Sequence, residues 1–268
     1  ASSGVYDLNA ARIDLFGGRA EGTLRADFTR PVPRYQLRAS LPGFRVERFL
    51  GAVGADSMGA GTMDFAASLS LTGRADSELV RSADGWCSLR GSGLVLRGTD
   101  LDGAISHFES SRSFHLVDIG AVLLVGPLGL AVTKGYDYAK LFLGVGDSTA
   151  VPEFVSRWRV EHGVAHATDA AFVTPKHRLA LQGGLDFAGG RFDDLTVAVV
   201  NDKGCAELKQ TIHGPFAAPE VDKPDVFSAL LGPVEGIART AKDLLPFTDC
   251  TPFYTGSVAP PGSEHGSR

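Results

Sequence analysis

His162 and His166 lie four residues apart, with Asp169 and His177 close behind. On a helix that spacing would put two imidazoles on one face at metal-ligand separation. The residues around them alternate instead of following the helical period, so the segment reads as strand and loop, where residues four apart share a face but stand well apart. No metal site is expected, and His162, just before Gly163, is expected to satisfy a backbone group at a strand end. Nucleophilic catalysis would need a poised serine or cysteine beside a base, and no GxSxG elbow surrounds Ser57, Ser88 or Ser148. Gly91-Ser92-Gly93 and Gly144-Val145-Gly146 lack the continuation that cradles phosphates, so each reads as a strand bulge or turn. Asp193-Asp194 reads as a solvated turn. No catalytic set and no cofactor are expected, and the chain is read as a non-enzyme; a hydrolase assembled from distant strands is a third, weaker reading.

The elements that would position any site are mostly strands. Leu24, Ala26 and Phe28 alternate with Arg25, Asp27 and Thr29; Tyr35, Leu37, Ala39 and Leu41 alternate with Arg34, Gln36, Arg38 and Ser40; Phe65, Ala67, Leu69 and Leu71 repeat the device. Strict alternation gives each strand one buried and one wet face. Gly17-Gly18, Gly22, Gly73, Gly91, Gly93 and Gly98 are read as the turns between runs. Further strands are expected over 154–162, 178–187, 195–200 and 207–213. Short helices are expected over 46–53, over 77–82 with Asp76 as N-cap, and over 100–110, and a longer one from Pro224-Asp225 to about Leu245. The fold class is therefore mainly β with a few helices (α+β): a curved antiparallel meander sheet with one apolar face, short capping helices and a C-terminal helix.

With 268 residues, 44% hydrophobic and 21% charged, the chain can bury a substantial core. A net charge of -5 and a pI near 5.8, without any basic run, argue against a nucleic-acid partner. Ala1 to Gly4 has neither the basic start nor the apolar core of a signal peptide, and the pattern starts mid-run, so a mature form or a part of something longer is expected.

The least polar stretch lies within 112–146. Ile119 to Val132 carries no charge and is broken by Gly126-Pro127, where a helix would lose a hydrogen bond; it is also shorter than the roughly 20 residues of a membrane-spanning helix. Something has to cover it, and Ile119, Val122, Leu123, Leu124, Leu128, Leu130 and Val132 are the candidate contacts to a lipid or a partner. A sheet whose apolar face is left partly open makes a trough for acyl chains, each buried methylene contributing about 0.8 kcal/mol. The same face could instead close as a sandwich core, which pattern alone favours. Cys87, Cys205 and Cys250 form no metal-type motif; Cys205 and Cys250 could bridge in an oxidising compartment, or all three could be buried thiols.

RGSGLVLRGTDLDGA (90–104), SFHLVDIGAVLLVGPLGLAVTKGYDYAKLF (113–142), WRVEHGVAHATDAAFVTPKHRLALQGGLDF (158–187), KGCAELKQTIHGPF (203–216) and CTPFYTGSVAPP (250–261) carry a resemblance to the C-terminal region of the AsmA-like family of Gram-negative envelope proteins. It covers the chain from about Ser77 to Pro261. The resemblance implies a periplasmic protein attached to the inner membrane through an N-terminal anchor not present in this chain, with a long β-rich body and a part in phospholipid transport or outer-membrane biogenesis and homeostasis along an apolar groove. Phospholipid or a membrane surface is then the expected partner, with an envelope protein as the alternative if the module caps a longer groove and docks there in the regulation of protein targeting to the membrane. The family has no catalytic residues to transfer. An oxidising compartment also favours a Cys205–Cys250 disulfide and leaves Cys87 free. The implied organisation is a lead-in of strands and short helices over 1–100, the AsmA-like region over 101–257 with its apolar segment 119–132, and a flexible tail over 258–268.

Overall fold

A computed structural model of the chain describes residues 4–52, 59–106, 148–226 and 250–263. They form mainly antiparallel sheet. In chain order the elements are β1 (Val5–Leu15), β2 (Gly18–Asp27), β3 (Arg34–Arg45), α1 (Val46–Ala52), β4 (Gly59–Thr72), α2 (Asp76–Arg81), β5 (Asp84–Leu96), α3 (Leu101–Ser106), β6 (Thr149–Glu161), β7 (Val164–Val173), β8 (Arg178–Asp186), β9 (Arg191–Val200), β10 (Ala206–Pro215), β11 (Glu220–Val221) and β12 (Asp225–Val226). The strands pair in chain order from β1 to β11, with β12 also on β10, and the sheet is curved but not closed. Most neighbouring strands are joined by short connections, which suffice for antiparallel pairs, whereas 97–148 separates β5 from β6.

Register makes the side chains of successive strands line up across the sheet. One row runs Leu8, Leu24, Leu37, Leu69, Gly85, Val160; another Leu41, Phe65, Leu89, Ser156, Ala170; a third Phe154, Phe172, Leu179, Val199, Leu208. Most of the second and third rows belong to the principal buried cluster. The three helices lie on this same side: Val46 and Phe49 of α1 pack against the cluster, with Phe49 edge-on to Phe16 and Phe44, and Leu101 and Ile105 of α3 are buried in it. Burial fades toward β1, where Tyr6, Leu8 and Ile13 are more than half exposed.

Over β6 to β9 the opposite face is buried too. Val155, Ala171, Ala180 and Ala198 form a row there, with Val173, Arg178 and Val200 beside it, under Tyr254 and Val258. Strands apolar on both sides lose their alternation, which accounts for the unbroken run Val197–Val200.

Several expectations need correction. Gly22 lies inside β2, and Gly91 and Gly93 lie inside β5, not between strands; Gly93, at φ +61°, marks a bulge opposite Gly61. Asp193 and Asp194 lie inside β9, where Asp194 has φ +43° at a second bulge. Asp76 is the first residue of α2 and caps nothing; Ala75 is the N-cap, without a side-chain bond, while the Glu78 carboxylate accepts the Arg74 N–H at 2.8 Å. Asp225 opens no helix but pairs with Lys209, and the remainder of that expected helix lies outside the described residues. The tail expected from Val258 onward begins with a residue that is 1% exposed.

Gly85 shows why β5 tolerates a glycine. It sits opposite Leu69 with φ +145°, and a Cβ there would collide with the Ser68 carbonyl oxygen. Gly85→Ala is expected to lower stability by roughly 1–3 kcal/mol in urea unfolding. Gly43→Ala, also at positive φ but in open space, is expected to cost less.

Candidate functional site

The apolar side of β4, β5 and β6 is hollowed into a cleft of about 370 Å³. Its floor is the β4 series Phe65, Ala67, Leu69 and Leu71, each reached by alternation, followed in register by Cys87 and Leu89 of β5 and Trp158 and Val160 of β6. Leu79 and Val80 of α2 overhang it, because Ser82 fastens the end of that helix to the sheet: its hydroxyl donates to the Thr72 carbonyl at 2.6 Å and accepts the Thr72 N–H at 2.8 Å. Phe187 stands at the far wall.

The polar atoms within the cleft are largely neutralised. The Trp158 indole N–H donates to Ser156 Oγ at 2.8 Å, which leaves the carbon surface of the ring to the cleft. Cys87 is a buried free thiol, and burial pushes its pKa up to about 11, so it is protonated at neutral pH and lines the wall as a small apolar group. Among the described residues no charged side chain lines the cleft. Its surface suits hydrocarbon, each buried methylene being worth about 0.8 kcal/mol. The sequence pattern exposed the β4 series; the contributions of Cys87, Trp158 and Phe187 depend on register and helix placement that alternation does not specify.

Ile119, Val122, Leu123, Leu124, Leu128, Leu130 and Val132, expected to contact lipid or a partner, lie outside the described residues. The histidines and Asp169 do not converge, and among the described residues no group of three or more His, Cys, Asp or Glu could hold a metal ion. His162 occupies the β6–β7 turn at φ +51° with its ring in solvent; its backbone N–H donates to Asp84 Oδ1 at 2.8 Å, so Asp84 rather than the imidazole meets the backbone need. His177 lies apart from it, with Nδ1 2.9 Å from Asp102 Oδ1. Asp102 Oδ1 also accepts the Thr174 hydroxyl at 2.5 Å, and Thr174 Oγ1 in turn accepts the His177 N–H at 2.9 Å. The hydroxyl proton points at a carboxylate and not at the imidazole, an arrangement that ties α3 to the β7–β8 turn and does not activate a nucleophile.

The second buried face is made by a strap, residues 250–263. Cys205 and Cys250 are joined by a disulfide with Cα atoms 6.0 Å apart, pinning the start of the strap beside β10; closing a loop of that length is worth roughly 3–5 kcal/mol. The Phe253 and Tyr254 N–H groups both donate to the Gly204 carbonyl, at 2.8 and 3.0 Å. Arg178 donates to the carbonyls of Val258 at 2.9 Å and Asn201 at 2.6 Å, with its guanidinium 5.5 Å from the Tyr254 ring centre. Asp169 accepts the Tyr254 hydroxyl at 2.7 Å and the Ser257 hydroxyl at 2.7 Å. Asp169 and Arg178 therefore hold the strap, roles that their sequence surroundings did not disclose; the usable signal was the doubly apolar run Val197–Val200, which requires a cover on each side.

Comparison of the chain with family models, with curated proteins and with solved structures finds no match.

Burial raises the Tyr254 pKa, with the bond to Asp169 and the charge of that residue acting in the same direction and the Val258 N–H opposing them. A phenol whose pKa is higher in the folded than in the unfolded state contributes stability that is complete below the ordinary tyrosine pKa, about 10, and is lost as pH rises through the folded value. Urea midpoints should therefore fall above about pH 10. Tyr254→Phe should cost about 1 kcal/mol at neutral pH and flatten that alkaline decline.

Proposed function

We propose that this chain is a non-enzymatic envelope protein, the C-terminal module of an AsmA-like factor in phospholipid transport or outer-membrane biogenesis and homeostasis, and that the apolar side of its sheet receives acyl chains. The observation that carries this reading is the cleft of about 370 Å³ between β4–β6 and α2, walled mainly by aliphatic, aromatic and thiol groups and, among the described residues, by no charged one. From it the row Leu69, Leu37, Leu24, Leu8 leads across β4, β3, β2 and β1, a path of about 14 Å at the usual strand spacing, along which exposure rises. An acyl chain lying on that row would cover side chains that water otherwise meets. The resemblance of 90–104, 158–187, 203–216 and 250–261 to the AsmA-like region supports the assignment, and with it a periplasmic location at the inner membrane. The disulfide is in keeping with an oxidising compartment.

The exposed side chains of β1 favour a second reading, a docking module that caps a longer β-groove and binds a protein partner. Tyr6, Leu8, Ile13 and Leu15 are 58%, 55%, 63% and 40% exposed, and β1 is the end strand of the described sheet. Apolar surface on an end strand is a ready contact for another chain.

The two readings separate on a charge placed in the cleft. Leu69→Glu is expected to weaken binding of a fluorescent fatty acid by roughly tenfold or more, the equivalent of two buried methylenes, while far-ultraviolet circular dichroism stays unchanged. Gln36→Glu, on the opposite face of β3, serves as the control and is expected to bind as the parent does. Equal binding by a folded Leu69→Glu protein would refute acyl occupancy of the cleft.

A further inference from the structure

The opposite face of β4 and β5, and of β6 beyond the buried Val155, is polar, yet Trp86 stands on it 46% exposed. Register places Arg159 across from Trp86 and Arg157 across from Ser88, so an indole, two guanidiniums and a hydroxyl surround one point of the sheet. They line a depression of about 870 Å³, to which Thr168, the turn residue His162 and two carboxylates also contribute, Asp84 accepting the His162 backbone N–H and Glu161 held by Arg159.

The charges here are not equally spent. Arg159 Nε is 2.8 Å from Glu161 Oε1. Arg157 holds no carboxylate among the described residues: its register partner is Asp169, and that carboxylate is engaged by Tyr254 and Ser257 of the strap. An exposed guanidinium beside a hydroxyl offers a planar fork for a phosphate or carboxylate. The indole next to it offers a flat apolar surface, Ser88 offers a hydroxyl, and Thr168, whose hydroxyl donates to the Arg157 carbonyl at 3.1 Å, offers an acceptor. A ligand that uses all three carries an oxyanion on a compact ring with one apolar face and a rim of hydroxyls.

We propose that this depression binds a saccharide bearing a phosphate or carboxylate group, with Arg157 holding the oxyanion and Trp86 stacking on the ring. The site stands independently of the acyl-chain cleft, since it lies on the other side of the sheet. A free sugar phosphate and the headgroup of a phosphorylated glycolipid share this chemistry.

Trp86 is also the natural reporter, because Trp158, the other of the two tryptophans, is 2% exposed. Glucose 6-phosphate titrated into the full chain should shift the tryptophan emission saturably, with glucose and inorganic phosphate each binding roughly tenfold more weakly. Arg157→Gln should weaken binding of glucose 6-phosphate about tenfold by calorimetry, with thermal unfolding unchanged because the side chain is exposed. Trp86→Leu should weaken it as well. No saturable binding of glucose 6-phosphate or glucuronate, undiminished binding by Arg157→Gln, or inorganic phosphate binding as tightly as the sugar phosphate would each overturn the proposal. Phosphatidylcholine vesicles doped with a phosphorylated glycolipid separate the two sources. Retention that glucose 6-phosphate competes away assigns the ligand to a membrane headgroup, and binding of the free sugar phosphate without retention assigns it to a soluble saccharide.

Discussion

The antiparallel hydrogen-bond ladder that runs from β1 to β11 without closing imposes the condition that everything else answers. Each strand turns alternate side chains to each face, so a continuous ladder gathers the apolar residues of every strand on one side. A sandwich would cover such a side with a second sheet. Here α1, α2 and α3 are short, and they lie along one side of a sheet far wider than any of them. Burial is accordingly nearly complete from β6 to β10 and weak at β1 and β2, and the cleft beneath α2 lies between these two regimes. The acyl-chain proposal draws on this gradient: the open part of the face is where an apolar ligand gains most from leaving water.

The other side follows a different rule. Over β6 to β9 it is apolar as well, and the strap 250–263 covers it by means of specific polar contacts. Arg178 shows how a buried cation is accommodated: its guanidinium serves the carbonyls of Asn201 and Val258 while resting near the Tyr254 ring. Burial holds its pKa below the ordinary arginine value. The disulfide keeps the beginning of the strap close to β10, so these contacts form at a reduced entropic cost. Asp169, engaged by the strap, leaves Arg157 without a carboxylate among the described residues, so the arrangement that secures one face also bears on the depression beside Trp86.

Much of the sheet was legible because period-two alternation is a direct consequence of one-sided burial. Leu37 to Leu41 and Phe65 to Leu71 showed it, as did the sequence from Leu179 to Phe187 although Arg178 and Ala180 on its other face are buried as well, and Val46, Phe49 and Leu50 marked α1 by their helical spacing. Besides the two-residue β11 and β12, three longer strands escaped the same rule for separate physical reasons. β1 changes phase at a bulge between Leu8 and Ala11, so its two halves do not share one alternating pattern. β5 contains Gly85, Gly91 and Gly93, which look like turn residues although close packing explains the first and a bulge the last. β7 ends in Ala170–Val173, buried on both sides and so without alternation. The candidate cleft was half readable: its β4 floor follows from alternation, whereas Cys87 and Trp158 arrive by register. The disulfide partners were visible as residues, but only their approach in space shows the bridge.

The most direct test of acyl-chain binding is to irradiate the chain with a diazirine-bearing phospholipid and map the modified residues by mass spectrometry. The account predicts label on the row and cleft formed by Leu24, Leu37, Phe65, Leu69 and Leu89, on one side of β2 to β5. Absence of label there, or label confined to the opposite face around Thr23, Gln36 and Ser68, would contradict it.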